Sequence, residues 1–189
     1  MFIVAAIAIC AATVPLAGGR VSRLHDIKLR WTVLLVLALV IQILIISVFP
    51  DRFIGVHVPA HLASYVLAGI FFYVNRHVPG LWVTGLGGGL NLTVIAANGG
   101  VMPTSIEAVA ASGAPTAAGG AFINSAAMQA PRFAWLGDVF AIPSSWPLSN
   151  VFSVGDVLIV LGVAIVLHRG GGSTFGAVRR NAPSPPPTV

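Results

Sequence analysis

Apolar residues fall into five long runs along this chain, and polar residues gather in the segments between them. The runs cover residues 1–17, 31–49, 54–74, 81–97 and 154–168. Each approaches the roughly 20 apolar residues with which a helix crosses a hydrocarbon core of about 30 Å. Backbone amides inside such a core have no water to bond, so the helix is their satisfied state. The pattern therefore predicts an all-α membrane protein with five transmembrane helices, forming a single transmembrane domain over residues 1–169.

Local signals punctuate the runs. Gly18-Gly19 stops the first, Trp31 stands as an interfacial anchor before the second, and Pro50-Asp51 makes a tight exit from it. No basic side chain lies ahead of the first run, so it reads as a retained span rather than a cleaved signal peptide. Pro59 falls in the first turns of the third helix, where a missing amide donor costs least. In the fourth run Gly85, Gly87, Gly88 and Gly89 would oppose a helix in water, each costing about 1 kcal/mol relative to alanine. In hydrocarbon they become a surface for close helix packing, with Gly85-x-x-x-Gly89 matching the small-residue pattern.

Residues 98–150 form a long, partly helical connection between the fourth and fifth helices. Thr104-Ser105-Ile106-Glu107 reads as a capping box, with the Thr104 hydroxyl and Glu107 carboxylate each satisfying a backbone amide, and Gly113 closes the short helix. Residues 114–128 are low in complexity. Phe133, Trp135, Phe140 and Trp146 then suit a headgroup boundary. Ser153-Val154-Gly155-Asp156 is a second capping box that opens the last span. Residues 170–189, with Pro183 and Pro185 to Pro187, read as a disordered cytoplasmic tail.

Composition agrees with the pattern. Of the 189 residues 57% are hydrophobic and 8% charged, with a mean hydropathy of +0.94, against about 25% charged in soluble domains. The net charge of +5 does not point to nucleic acid, because the basic residues sit between apolar runs instead of forming a patch. A single cysteine, Cys10, excludes an internal disulfide. Five spans place Arg20, Arg23, Lys28, Arg30, Arg76, Arg169, Arg179 and Arg180 on one side, and only Arg52 and Arg132 on the other. Basic residues mark the cytoplasm, so the N-terminus and the long connection lie outside and the C-terminus inside.

Polar groups within the runs require an explanation, since hydrocarbon penalises each. His57, His61, Ser64 and Tyr65, at i, i+4, i+7 and i+8, form one stripe on the third helix. Thr84, Gly88, Asn91 and Asn98 form another on the fourth, and Gln42 lies near the middle of the second. With Asp138 and Asp156, the residues His57, His61, Tyr65, Asn91 and Asn98 make a candidate binding cluster at the outer end. Asp138 could cap a turn or pair with Arg132. His57 and His61 are the only candidate metal ligands, and no third ligand is spaced near them; interhelical hydrogen bonding is the favoured role for these side chains. No cofactor is expected.

Three segments together carry a resemblance: Asn91-Leu92-Thr93-Val94-Ile95-Ala96-Ala97-Asn98-Gly99-Gly100-Val101-Met102-Pro103, Leu136-Gly137-Asp138-Val139, and Phe152-Ser153-Val154-Gly155-Asp156-Val157-Leu158-Ile159. In this order they resemble a family of small bacterial multi-pass membrane proteins, domain of unknown function 5317, over roughly Arg20 to Arg169. The resemblance implies a bacterial cytoplasmic (plasma) membrane location and an ordered outer connection, and it brings no activity with it. One physical reading folds the connection back into the outer face, held by Asn98, Asp138 and Asp156.

Three functions compete. The favoured one is a non-catalytic accessory or scaffold subunit, whose partners are the lipid bilayer and a membrane protein or a second copy of itself. The others are a small transporter or lipid-handling protein with an outward-facing polar pocket, and a membrane redox or metal-binding protein using His57 and His61.

Overall fold

The computed structural model describes residues 2–48, 54–113, 125–128 and 130–176. It is mostly helical: α1 covers Phe2–Leu16, α2 Thr32–Ile43, α3 Ile54–Val74, α4 Leu81–Ala97, α5 Ile106–Ser112 and α6 Val154–Gly171. A π-helical turn, Leu44–Val48, continues α2. Two helices, at Gly55–Val74 and Val154–Gly171, are long and apolar enough to cross a membrane, while the apolar helices Ile3–Leu16, Thr32–Val48 and Leu81–Ala97 are shorter. The expected Pro50-Asp51 exit lies outside the described residues.

The helices pack as α2 on α3, α3 on α4, α4 on α6 and α6 on α1, and α4 against α6 is the most extensive pairing. The sequence reason lies in two pairs of glycines, each seven residues apart. Gly80 and Gly87 on the α4 side face Gly162 and Gly155 on α6, and a Cβ at any of these four would overlap the opposing chain. Thr84 and Asn91 complete the α4 seam, and Ile159 and Val166 the α6 seam. The alternating steps of four and three residues keep one face of each helix turned to the other along its length.

This intramolecular seam lies on a different face from the expected Gly85-x-x-x-Gly89 surface. Gly85 meets the Phe72 side chain, where a Cβ would stand 2.9 Å from the Phe72 Cβ, while Gly88 and Gly89 have nothing within 4 Å of that position. Helical geometry explains the difference, because Gly87 shares a face with Thr84 and Asn91 whereas Gly89 turns away.

A purely helical fold also needs correction, because the connection between α4 and α6 holds four short strands among the described residues. Met102–Thr104 (β1) pairs in parallel with Ser125–Ala127 (β2), and Phe140–Ile142 (β3) pairs antiparallel with Asn150–Phe152 (β4). The capping residue of α5 is Ser105 rather than Thr104: the Ser105 hydroxyl accepts from the Ala108 amide at 3.0 Å, while Thr104 belongs to β1 and Glu107 is exposed. Gly113 closes α5 in the left-handed region, at φ 64°. Residues 114–124, most of the low-complexity stretch, lie outside the described residues.

At the opposite end the basic segments meet. Asn75, fully buried after α3, accepts from the Arg30 amide and donates to the Arg30 carbonyl, both at 2.8 Å. The Arg20 amide donates to the Gly171 carbonyl. His168 contacts the Ser173 hydroxyl through Nδ1 at 2.7 Å and the Thr13 hydroxyl through Nε2 at 3.1 Å. Residues 170–176, expected within the tail, are folded here. Gly172 caps α6 in the left-handed region, and the Thr174 amide returns to the Ala17 carbonyl. Residues 177–189 lie outside the described residues.

Candidate functional site

The core beside the connection gathers Val94 and Ile95 of α4 with Met102 and Leu136 of the connection. Leu62 and Tyr65 of α3, Leu90 of α4 and Val154 of α6 pack against them. Polar side chains border this apolar floor.

The most completely bonded group is Asn91, Ser153 and Asp156. Ser153 caps α6, its hydroxyl accepting from the Asp156 amide at 3.1 Å while the Asp156 carboxylate accepts from the Ser153 amide at 3.0 Å. The expected capping box is therefore present in full. The buried Asn91 amide closes the ring, donating to the second Asp156 oxygen at 2.9 Å and accepting from the Ser153 hydroxyl at 3.0 Å. A single side chain of α4 thus reads the first turn of α6, and the helix N-terminus favours the carboxylate held there.

Tyr65 links this ring to α3. Its phenol lies within electrostatic reach of both Asp156 and Asp138, and its ring stands edge-on to His61 with centroids 5.3 Å apart. His57 and His61 are both 98% removed from solvent, and Ser64 completely so. Gln42 of α2 donates to the Ser64 hydroxyl at 3.0 Å, and Ser64 donates to the His61 carbonyl at 2.6 Å. The α3 stripe read from sequence is thus a buried face, tied to α2 at one point and reaching the acids through Tyr65.

Asp138 lies near the other members of the cluster, as expected, but without the Arg132 pairing. No ion pair joins it to Arg132 among the described residues. It is buried in the connection, its amide donating to the Pro103 carbonyl and its carbonyl accepting from the Ser105 amide. Burial pushes its carboxyl up to about 6, the nearby Asp156 charge adds to the rise, and the Ser125 and Thr104 side chains oppose it. Asn98 clamps the connection instead of joining the cluster: it accepts from the Arg132 amide and donates to the Arg132 carbonyl, both at 2.9 Å.

The end of the bundle beside the connection therefore brings His61, Tyr65, Asn91, Asp138 and Asp156 into one neighbourhood and leaves Asn98 at its rim. Ser153 was legible as a cap, yet its bond to α4 follows only from helix packing. Asp138 reaches the cluster through β1, whose register no local periodicity announces. Among the described residues, no group of three or more His, Cys, Asp or Glu side chains is placed to hold a metal ion. The arrangement can hold a proton on a buried acid and fix the connection to the bundle.

No curated protein and no solved structure matches the chain. A family model, described as a family of unknown function, matches residues 26–168. These residues contain the outer cluster and both helices of the glycine seam, and the chain belongs to that family, DUF5317.

Proposed function

We propose that the chain is a five-span protein of the bacterial cytoplasmic membrane, N-terminus outside and C-terminus inside, serving as a non-catalytic accessory or scaffold subunit. The five-span reading draws on the five apolar helices and on the convergence of Arg20, Arg30, Arg76 and Arg169 at one end of the bundle, with Arg132 at the other. It also draws on exposed Trp135 and Trp146 beside the outer connection, where indole suits the interface.

The observation that carries the subunit reading is the open Gly88-Gly89 surface of α4. The cluster's Asn91, Ser153 and Asp156 are bonded to one another, while Gly88 and Gly89 have nothing against them. Small residues let a neighbouring helix approach to backbone contact. The test is extraction of the full chain in mild detergent with Gly88→Leu and Gly89→Leu alongside. The reading expects a defined assembly of fixed stoichiometry that both substitutions break. A monodisperse single chain, unchanged by them, sinks it.

A second reading, a small transporter with an outward-facing pocket, is favoured by one observation: a buried acid, Asp138, that exchanges its proton near pH 6. His61→Cys and Asn91→Cys variants would then react with water-soluble thiol reagents applied from outside. Inertness of both excludes such a pocket.

A further inference from the structure

At the basic end a cavity of about 350 Å3 opens between the segment preceding α2, the turn between α3 and α4, and the end of α6. Lys28, His77 and Arg169 line it, over an apolar floor of Val78, Pro79 and Val166. The volume falls at the lower end of the roughly 300–1,000 Å3 typical of small-molecule sites. Its one acid, Asp26, lies 2.9 Å from His25. Among the described residues neither Lys28 nor Arg169 has an ion-pair partner.

Three segments far apart in sequence each deliver a basic side chain to the same cavity, and Lys28 and Arg169 together exceed the single acid Asp26, a balance that attracts an anion. The apolar floor suits a guest that carries carbon groups beside its charge. Lysine and arginine on separate elements suit phosphate oxygens, one as a point charge and the other as a planar fork.

We propose that this cavity binds a phosphate-bearing anion, and that its source is the headgroup of an anionic phospholipid in the leaflet beside it. The phosphate lies between Lys28 and Arg169, and the glycerol carbons lie over Val78, Pro79 and Val166. Anion binding stands on the cavity alone, whereas the lipid source rests on the membrane reading above.

The experiment titrates the full chain, in uncharged detergent, with dihexanoyl phosphatidylglycerol, dihexanoyl phosphatidylcholine and inorganic phosphate, and reads binding by native mass spectrometry. Saturable binding of phosphatidylglycerol without comparable binding of phosphatidylcholine is expected. The pair Lys28→Gln/Arg169→Gln weakens it on the order of a hundredfold, since each removes a direct bond to the charged phosphate worth about tenfold or more. The pair Arg20→Gln/Arg76→Gln removes the same charge from the same end outside the cavity and leaves binding within a few-fold. Pro79→Trp, at an exposed position, fills the cavity without changing charge and abolishes binding even if the charge variant does not fold. Equal losses in both charge pairs, or no phosphatidylglycerol binding by the parent chain, overturn the proposal. Phosphate binding as tightly as the lipid overturns the lipid source. Reporter fusions at the two termini, expected in opposite compartments, test the membrane reading separately.

Discussion

Asn91 on α4 and Asp156 on α6 are joined by a 2.9 Å hydrogen bond for which only a glycine at position 155 leaves room. A Cβ there would overlap the Asn91 amide oxygen. Gly155→Ala is therefore expected to lower stability by about 1–3 kcal/mol, the cost of overpacking. Gly88→Ala, where nothing stands within 4 Å, should not destabilise the fold and can gain up to about 1 kcal/mol of helix propensity. Thermal unfolding of both proteins in one detergent decides; equal melting temperatures would remove the seam from the account.

Asn91 itself should be sensitive to chemistry more than to size. Asn91→Leu deprives the Asp156 carboxylate and the Ser153 hydroxyl of a partner, at a cost of about 1–3 kcal/mol. Asn91→Asp sets a second carboxylate against the first, so its penalty grows as pH rises through the carboxylate range. Melting temperatures at pH 5 and pH 8 separate the two variants. An aspartate variant insensitive to pH would mean that the ring is absent.

The pH dependence of the parent chain follows from Asp138. Its carboxyl, near 3.8 when free, titrates at about 6 in the fold, so the folded state holds the proton more tightly than the unfolded state. The stabilisation is present in full below pH 4 and is lost as pH rises through 6, on the order of 2–3 kcal/mol in all. Asp138→Asn, which cannot ionise, should flatten stability between pH 4 and pH 7 relative to the parent. Parallel profiles would contradict the burial of a titrating acid there.

At the basic end, Asn75 is the counterpart of Asn91. It makes two bonds to the backbone of Arg30, replacing strand-like partners that this segment lacks. Asn75→Ala should therefore speed hydrogen exchange at the Arg30 amide while leaving the amides of α6 protected. Unchanged exchange at Arg30 would show that the contact does not hold the segment.

Much of this was readable from the chain. Ser153 and Asp156 lie three residues apart beside an apolar run, and such a cap is local enough to see directly. The α3 stripe of His57, His61, Ser64 and Tyr65 follows from helical period alone. What escaped depends on partners distant in sequence. The Gly80/Gly87 and Gly155/Gly162 pairs share a seven-residue spacing, but only the packing of α4 on α6 distinguishes their face from that of the denser Gly85 to Gly89 cluster. Asp138 was legible as a member of the cluster, but what holds it there was not: β1 pairs with it at Thr104, and Ser125-Ala126-Ala127 has no composition that marks a strand. Thr13, His168 and Ser173 join residues from both ends of the described chain, and nothing in either segment alone suggests it.

The glycine seam also bears on the order in which the protein is made. α4 leaves the ribosome with Thr84 and Asn91 turned towards a helix that does not yet exist, and the entire connection of residues 98–153 must follow before α6 arrives to cover them. A nascent chain halted before residue 154 leaves that polar, glycine-lined face uncovered, so exposure of Thr84 and Asn91 distinguishes an unfinished molecule from a completed one.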